Sequence, residues 1–135
     1  MIISASRRTD IPAYYSDWFY NRVKDGFVVT QNPFNANQLH RIELNPEICD
    51  AIVFWTKNPD PMIARLNELM EFMYYFQFTL TPYDRSVEPG LPDKETLVDT
   101  FCRLSERIGS KRVIWRYDPI IISEAFPVSQ VPFLV

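Results

Sequence analysis

The chain carries its reactive-looking residues in short polar stretches that recur just behind apolar runs. Arg7, Arg8 and Asp10 follow the first run, and Asn32 the second. Lys57 and Asn58 follow the third, Thr81 the fourth, and Arg116 and Asp118 close the fifth. Guanidinium and ammonium groups gathered in this way suit a carboxylate or a phosphate, because arginine offers two parallel charge-assisted hydrogen bonds. Asp10 and Asp118 are the candidate acid or base groups, or would orient those arginines. Within the fourth run, Gln77, Thr79 and Thr81 alternate with Phe76, Phe78 and Leu80. Successive strand residues point to opposite faces, so one face of this strand is polar. A buried parallel strand normally reads as continuous Val, Ile and Leu, so a Gln-x-Thr-x-Thr face must meet water, a ligand or a polar network. The plain alternative is that Arg–Asp pairs merely tie neighbouring strand ends together.

Positioning these residues requires strands that all end at one edge. The runs are Phe27-Val-Val-Thr-Gln-Asn-Pro33, Ile52-Val-Phe-Trp-Thr-Lys-Asn-Pro59, Tyr75-Phe-Gln-Phe-Thr-Leu-Thr-Pro82 and Val113-Ile-Trp-Arg-Tyr-Asp-Pro119, preceded by Ile2 to Ser6. Their β-branched and aromatic content predicts strands, and each proline ends one by removing a ladder donor. Helical periodicity lies between them. A helix is expected to open at Asp10 or a neighbour as cap, with Pro12 in its first turn and Tyr15, Trp18, Phe19 and Val23 on one face, ending at Gly26. A second spans about Pro61 to Phe72, with Met62, Leu66, Leu69, Met70 and Met73 on one side. A third is capped by Asp93, carries Leu97, Phe101, Leu104 and Ile108, and closes at Gly109. Gln38 to Leu44 could add a short strand. Strand, polar tip, helix, strand is the pattern of parallel β/α architecture, whose chemistry sits at the carboxyl ends of the strands. About five parallel strands in one α/β domain over residues 1–135 predict part of a TIM-type (β/α) barrel. An open, doubly wound parallel sheet is the alternative. Residues 123–135 read as an irregular tail.

Composition narrows the partners. A 135-residue chain with 47% hydrophobic residues can bury one core, and a net charge of −3 creates no general attraction to nucleic acid or anionic membrane. No apolar run approaches the roughly 20 residues of a membrane span, and the N-terminus lacks a signal-peptide pattern, so the expected location is cytoplasmic. Cys49 and Cys102 form no C-x-x-C pair and His40 is the only histidine, so no metal site and no cofactor are expected from these residues. The cysteines read as two buried or half-buried thiols. His40 reads as a surface or hairpin residue. No dinucleotide fingerprint, Walker loop, zinc-protease motif or Ser/His/Asp set is present.

Ser4-Ala-Ser-Arg-Arg-Thr-Asp-Ile-Pro-Ala13, Asn32-Pro-Phe-Asn35 and the blocks beginning at Ile52, Tyr75 and Val113 together resemble a family of prokaryotic proteins catalogued as domain of unknown function eighteen forty-eight. The resemblance covers about residues 1 to 122. It implies a whole or partial β/α barrel. In longer members it implies a carboxyl-terminal cysteine cluster similar to that of radical S-adenosylmethionine enzymes, with an iron–sulfur cluster and S-adenosylmethionine as cofactors. This chain lacks that cysteine pattern and reads as a carboxyl-terminally truncated member. Three readings follow: the substrate-pocket part of such an enzyme acting on an anionic small molecule and inactive as truncated, a cluster-free hydrolase or lyase of a phosphorylated or carboxylated substrate, or a non-enzymatic remnant. Strands left at the edges of a cut barrel predict self-association, since Val131, Phe133, Leu134 and Val135 could cover only part of the bared surface.

Overall fold

The first apolar run forms strand β1 (Ile2–Ala5), and the polar tip behind it turns directly into helix. Asp10 caps α1 (Ile11–Tyr14): its Oδ1 accepts the Ala13 N–H at 3.0 Å, and Pro12 occupies the first turn, where no donor is needed. The structure, a computed structural model, describes residues 1–130. The expected single helix is broken at Tyr15 and resumes as α2 (Ser16–Asp25). That break shifts the helical phase. Phe19 and Tyr20 become the buried residues and Val23 packs on the core, whereas Tyr15 and Trp18 face outward, 51% and 43% exposed. Gly26 closes α2 at φ +79°, donating to the carbonyls of Arg22 and Val23. A side chain there would have room but would be held in the left-handed region. Gly26→Ala should therefore cost about 1 kcal/mol in urea denaturation, and no measurable loss would mean that the cap relaxes.

The second run departs from expectation. Phe27–Asn32 forms β2, but it pairs antiparallel with β3 (Asn35–Glu43) in a separate two-stranded sheet. Only Pro33 and Phe34 separate the two strands, and so short a link permits a hairpin but no parallel crossover, which takes a dozen residues or more. The strand expected at Gln38 to Leu44 is thus real and longer, and His40 is an exposed hairpin residue opposite Thr30.

The remaining strands are β4 (Ala51–Thr56), β5 (Tyr74–Thr79) and β6 (Val113–Arg116). With β1 they make one parallel sheet of four strands, in the order β1-β4-β5-β6. The fold is therefore α/β with an open parallel sheet among the described residues, four parallel strands replacing the expected five. Between β4 and β5 the predicted helix is reduced to α3 (Asp60–Ile63) and a 3-10 turn at Leu66–Leu69. Met62, Leu66 and Leu69 stay buried, but the interruption rotates Met70 and Met73 to the surface, 81% and 67% exposed. Helix α4 (Lys94–Ile108) follows the forecast closely: Asp93 Oδ1 accepts the Thr96 N–H at 2.8 Å, Leu97 and Leu104 are buried, Phe101 and Ile108 pack on the core, and Gly109 ends it. Residues 123–130 are irregular apart from a 3-10 turn at Val128–Gln130, and Val131, Phe133, Leu134 and Val135 lie outside the described residues.

One face of the sheet holds the core. Ala5, Phe54, Phe76 and Val113 lie in register across the four strands, and the Phe54 and Phe76 rings stack at 4.9 Å with Phe19 of α2 edge-on to Phe54 at 5.2 Å. Phe78 meets Phe101 of α4. The other face carries Ser4, Val53, Trp55, Tyr75, Gln77, Thr79, Ile114 and Arg116, and among the described residues only Val53 of these is buried. Phe76 and Phe78 against the helices, with Gln77 and Thr79 on the side of Ser4 and Arg116, is the register that the alternation of the fourth run required.

Candidate functional site

Parallel pairing brings the tips of β1, β4, β5 and β6 to one edge, and the loops there are joined by polar contacts that are mostly half-buried. At the tip of β1, Ser6 takes φ +91°, a region that side chains seldom adopt and that clusters at functional sites. Its Oγ accepts the Ile11 N–H at 3.3 Å. Asp10 reaches across to β4: Oδ1 accepts the Thr56 hydroxyl at 2.7 Å and Oδ2 accepts the Lys57 N–H at 2.8 Å. Thr56 in turn accepts the Asn58 N–H at 3.0 Å, and Asn58 Oδ1 accepts the Asp60 N–H at 3.3 Å. Asp10 is thus a clamp between two strand tips whose lone pairs are largely taken up, and Asn58 shapes the turn into α3.

The second contact set centres on a residue that the strand-tip pattern passes over. Glu88 lies in the connection between β5 and α4 and is 9% exposed. Lys57 Nζ donates to its Oε1 at 2.7 Å, Lys94 Nζ to its Oε2 at 2.6 Å, and the Thr81 hydroxyl to Oε1 at 3.1 Å. Burial pushes the Glu88 carboxyl up, but the hydrogen bonds and charges of Lys57 and Lys94 outweigh it, so the group titrates below the usual glutamate range. A buried carboxylate is expected to be paired and hydrogen-bonded in this way. Lys57 and Thr81 therefore meet at Glu88 rather than on the open face with Gln77. The available signal was the length of the Leu80 to Asp93 connection, well beyond the usual ~2–6 residues of a βα loop.

The third set lies on the helix-free face. The Arg116 guanidinium carbon sits 4.5 Å from the centre of the Trp55 ring, and its Nη2 donates to Asp118 at 3.2 Å. Thr79 is the register partner of Arg116, and Gln77 that of Trp55. Gln77 and Thr79 are half-buried on this same face. Asp118 is 63% exposed, so its pairing with Arg116 is an exposed one of small worth.

Three expected members lie elsewhere. Asn32 belongs to the hairpin turn, its Nδ2 donating to Gln38 and its Oδ1 accepting the Phe34 N–H, because β2 left the parallel sheet. Arg8 donates from Nη2 to the Gln31 carbonyl at 2.7 Å and so fastens the same hairpin to the β1 tip. Arg7 is exposed beside it. Trp55 and Lys94 were missed along with Glu88: the former reads as an ordinary strand aromatic, the latter as a helix-start residue.

An iron–sulfur cluster needs thiolates grouped within reach of one metal centre. Cys49 is buried just ahead of β4, at the opposite end from the strand tips, with burial holding its thiol above the usual range. Cys102 lies on an exposed part of α4, not half-buried as expected. Among the described residues no group of three or more His, Cys, Asp or Glu could hold a metal ion, so they do not fit such a cluster. No helix among them is long and apolar enough to cross a membrane.

The chain belongs to the family described as a domain of unknown function (DUF1848), whose family model matches residues 2–132. No curated protein and no solved structure matches it.

Proposed function

We propose that this DUF1848 member forms the ligand-holding part of a β/α-barrel-type enzyme and takes a small anionic molecule on the helix-free face of its sheet, near the strand tips. The observation that carries this reading is the row of Trp55, Gln77, Thr79 and Arg116 on a face that parallel sheets ordinarily cover. The winding supports it. Strands laid down in chain order, with right-handed crossovers, put their helices on one side, which is how a barrel is wound, whereas a doubly wound sheet reverses direction. The bare face then corresponds to a barrel's interior. Arg116, steadied by the Trp55 ring, supplies the two-pronged contact for a carboxylate or phosphate, and Gln77 and Thr79 supply neutral donors beside it. Asp118 is the carboxylate nearest that contact and the candidate acid or base, since Asp10 is engaged as a clamp. Iron–sulfur chemistry of the radical S-adenosylmethionine kind would need thiolates beyond Cys49 and Cys102, the two cysteines of this sequence.

Titration calorimetry of the chain with sulfate, phosphate and small dicarboxylates tests the reading. Arg116→Met should weaken binding of whichever anion binds by about tenfold or more, with the circular-dichroism spectrum unchanged. Arg116→Lys should recover only part of the loss, because a point charge does not reproduce the forked contact. Equal binding by wild type and Arg116→Met would remove Arg116, and with it this site.

A further inference from the structure

The stacked pair on the helix-free face carries more information than charge alone. A lone anion needs only donors, yet the arginine rests on an indole ring that is itself 43% exposed, and the next position on that face across the sheet is an amide. Guanidinium and indole planes both stack on flat π systems. A glutamine amide presents a donor and an acceptor side by side, the pattern that pairs with the edge of a heteroaromatic base. Thr79, in register with Arg116, adds a hydroxyl at the same level.

Resting on the anion-site reading above, we infer that the ligand is a ring-bearing anion of the nucleotide class. Its phosphate or carboxylate is held by Arg116, its heteroaromatic ring stacks against the Arg116–Trp55 pair, and Gln77 reads the ring edge. The outer face of the Arg116 guanidinium, which lies over the Trp55 ring, suits a planar group, and stacking of this kind is tolerant of which base is present.

Calorimetry with AMP and with ribose 5-phosphate, which has the same phosphate and sugar but no base, separates the two levels of the reading. The wild-type chain should bind AMP roughly tenfold or more tighter than ribose 5-phosphate, the factor that one stacked base supplies. Trp55→Leu should lower AMP binding far more than ribose 5-phosphate binding and so bring the two affinities together, and Gln77→Ala should narrow the gap in part. Equal wild-type affinities for the two ligands would overturn the ring while leaving the anion site standing. So would an AMP preference that survives Trp55→Leu. Absence of binding by either ligand would overturn both. The wild-type ratio needs no variant, so poor folding of Trp55→Leu does not blunt the test.

Discussion

Glu88→Ala should lower the stability of the chain by about 2–4 kcal/mol at neutral pH, measured by urea denaturation. Removing one partner of a buried ion pair typically costs about 3–5 kcal/mol, because the other charge is left uncompensated. Here the side chains of Lys57 and Lys94 are 38% and 32% exposed and can turn partly to water, which moves the expectation toward the lower end. Thr81, 3% exposed, has no such escape and loses the acceptor for its hydroxyl. The dependence on pH separates charge from shape. Glu88 in the folded chain titrates below the ordinary carboxyl range, so its contribution is fully present above the unfolded value of about 4.3 and is lost as pH falls through the folded one. The stability difference between wild type and Glu88→Gln should therefore hold steady near neutrality and shrink below roughly pH 4. A cost under about 0.5 kcal/mol at pH 7, in the range of an exposed surface pair, would reduce the node to such a pair. A difference that persists unchanged in acid would mean that the carboxylate's charge is not what holds the lysines.

That node also marks where sequence reasoning reaches its limit. The parallel strands were readable because a proline follows β4, β5 and β6 within three residues and because β5 alternates Phe76 and Phe78 with Gln77 and Thr79, so a register error would have inverted every face. Helix α4 was readable because Asp93, Leu97, Phe101, Leu104 and Gly109 agree on one phase. The run at Phe27 looked identical to its neighbours, since an apolar strand ending in Asn-Pro carries no mark of the strand it will pair with; the two-residue link to Asn35 was the clue. Around Met62 the 3.6-residue pattern suggested a longer helix than forms, because the pattern does not register a break at Ala64–Arg65. Glu88, Lys57 and Lys94 are brought together only by tertiary packing of a long loop over the strand tips, and no local spacing records it. The clamp at Asp10 was half legible: its capping role follows from Pro12, its reach to β4 does not.

Asp10→Ala should cost at least about 3 kcal/mol. It removes a helix cap worth about 1 kcal/mol and leaves the Thr56 hydroxyl, 2% exposed, and the half-buried Lys57 N–H without acceptors, at about 1–3 kcal/mol for each unsatisfied group. Asp10→Asn distinguishes the parts. Its side-chain oxygen can still accept from Ala13 and Thr56, but its NH2 group faces the Lys57 N–H, so only about 1–2 kcal/mol should be lost. Because Lys57 follows Thr56 directly, both variants should also loosen the Lys57–Glu88 contact. Amide hydrogen exchange should accelerate at Lys57 and Asn58 in step with the stability lost, while β5 and α4 exchange as before. If Asp10→Ala costs less than about 0.5 kcal/mol, the scale of a surface change, the clamp is not what joins the tips of β1 and β4. The Asp10 carboxylate would then be free to take a proton from a ligand, and the acid–base role would pass from Asp118 back to Asp10.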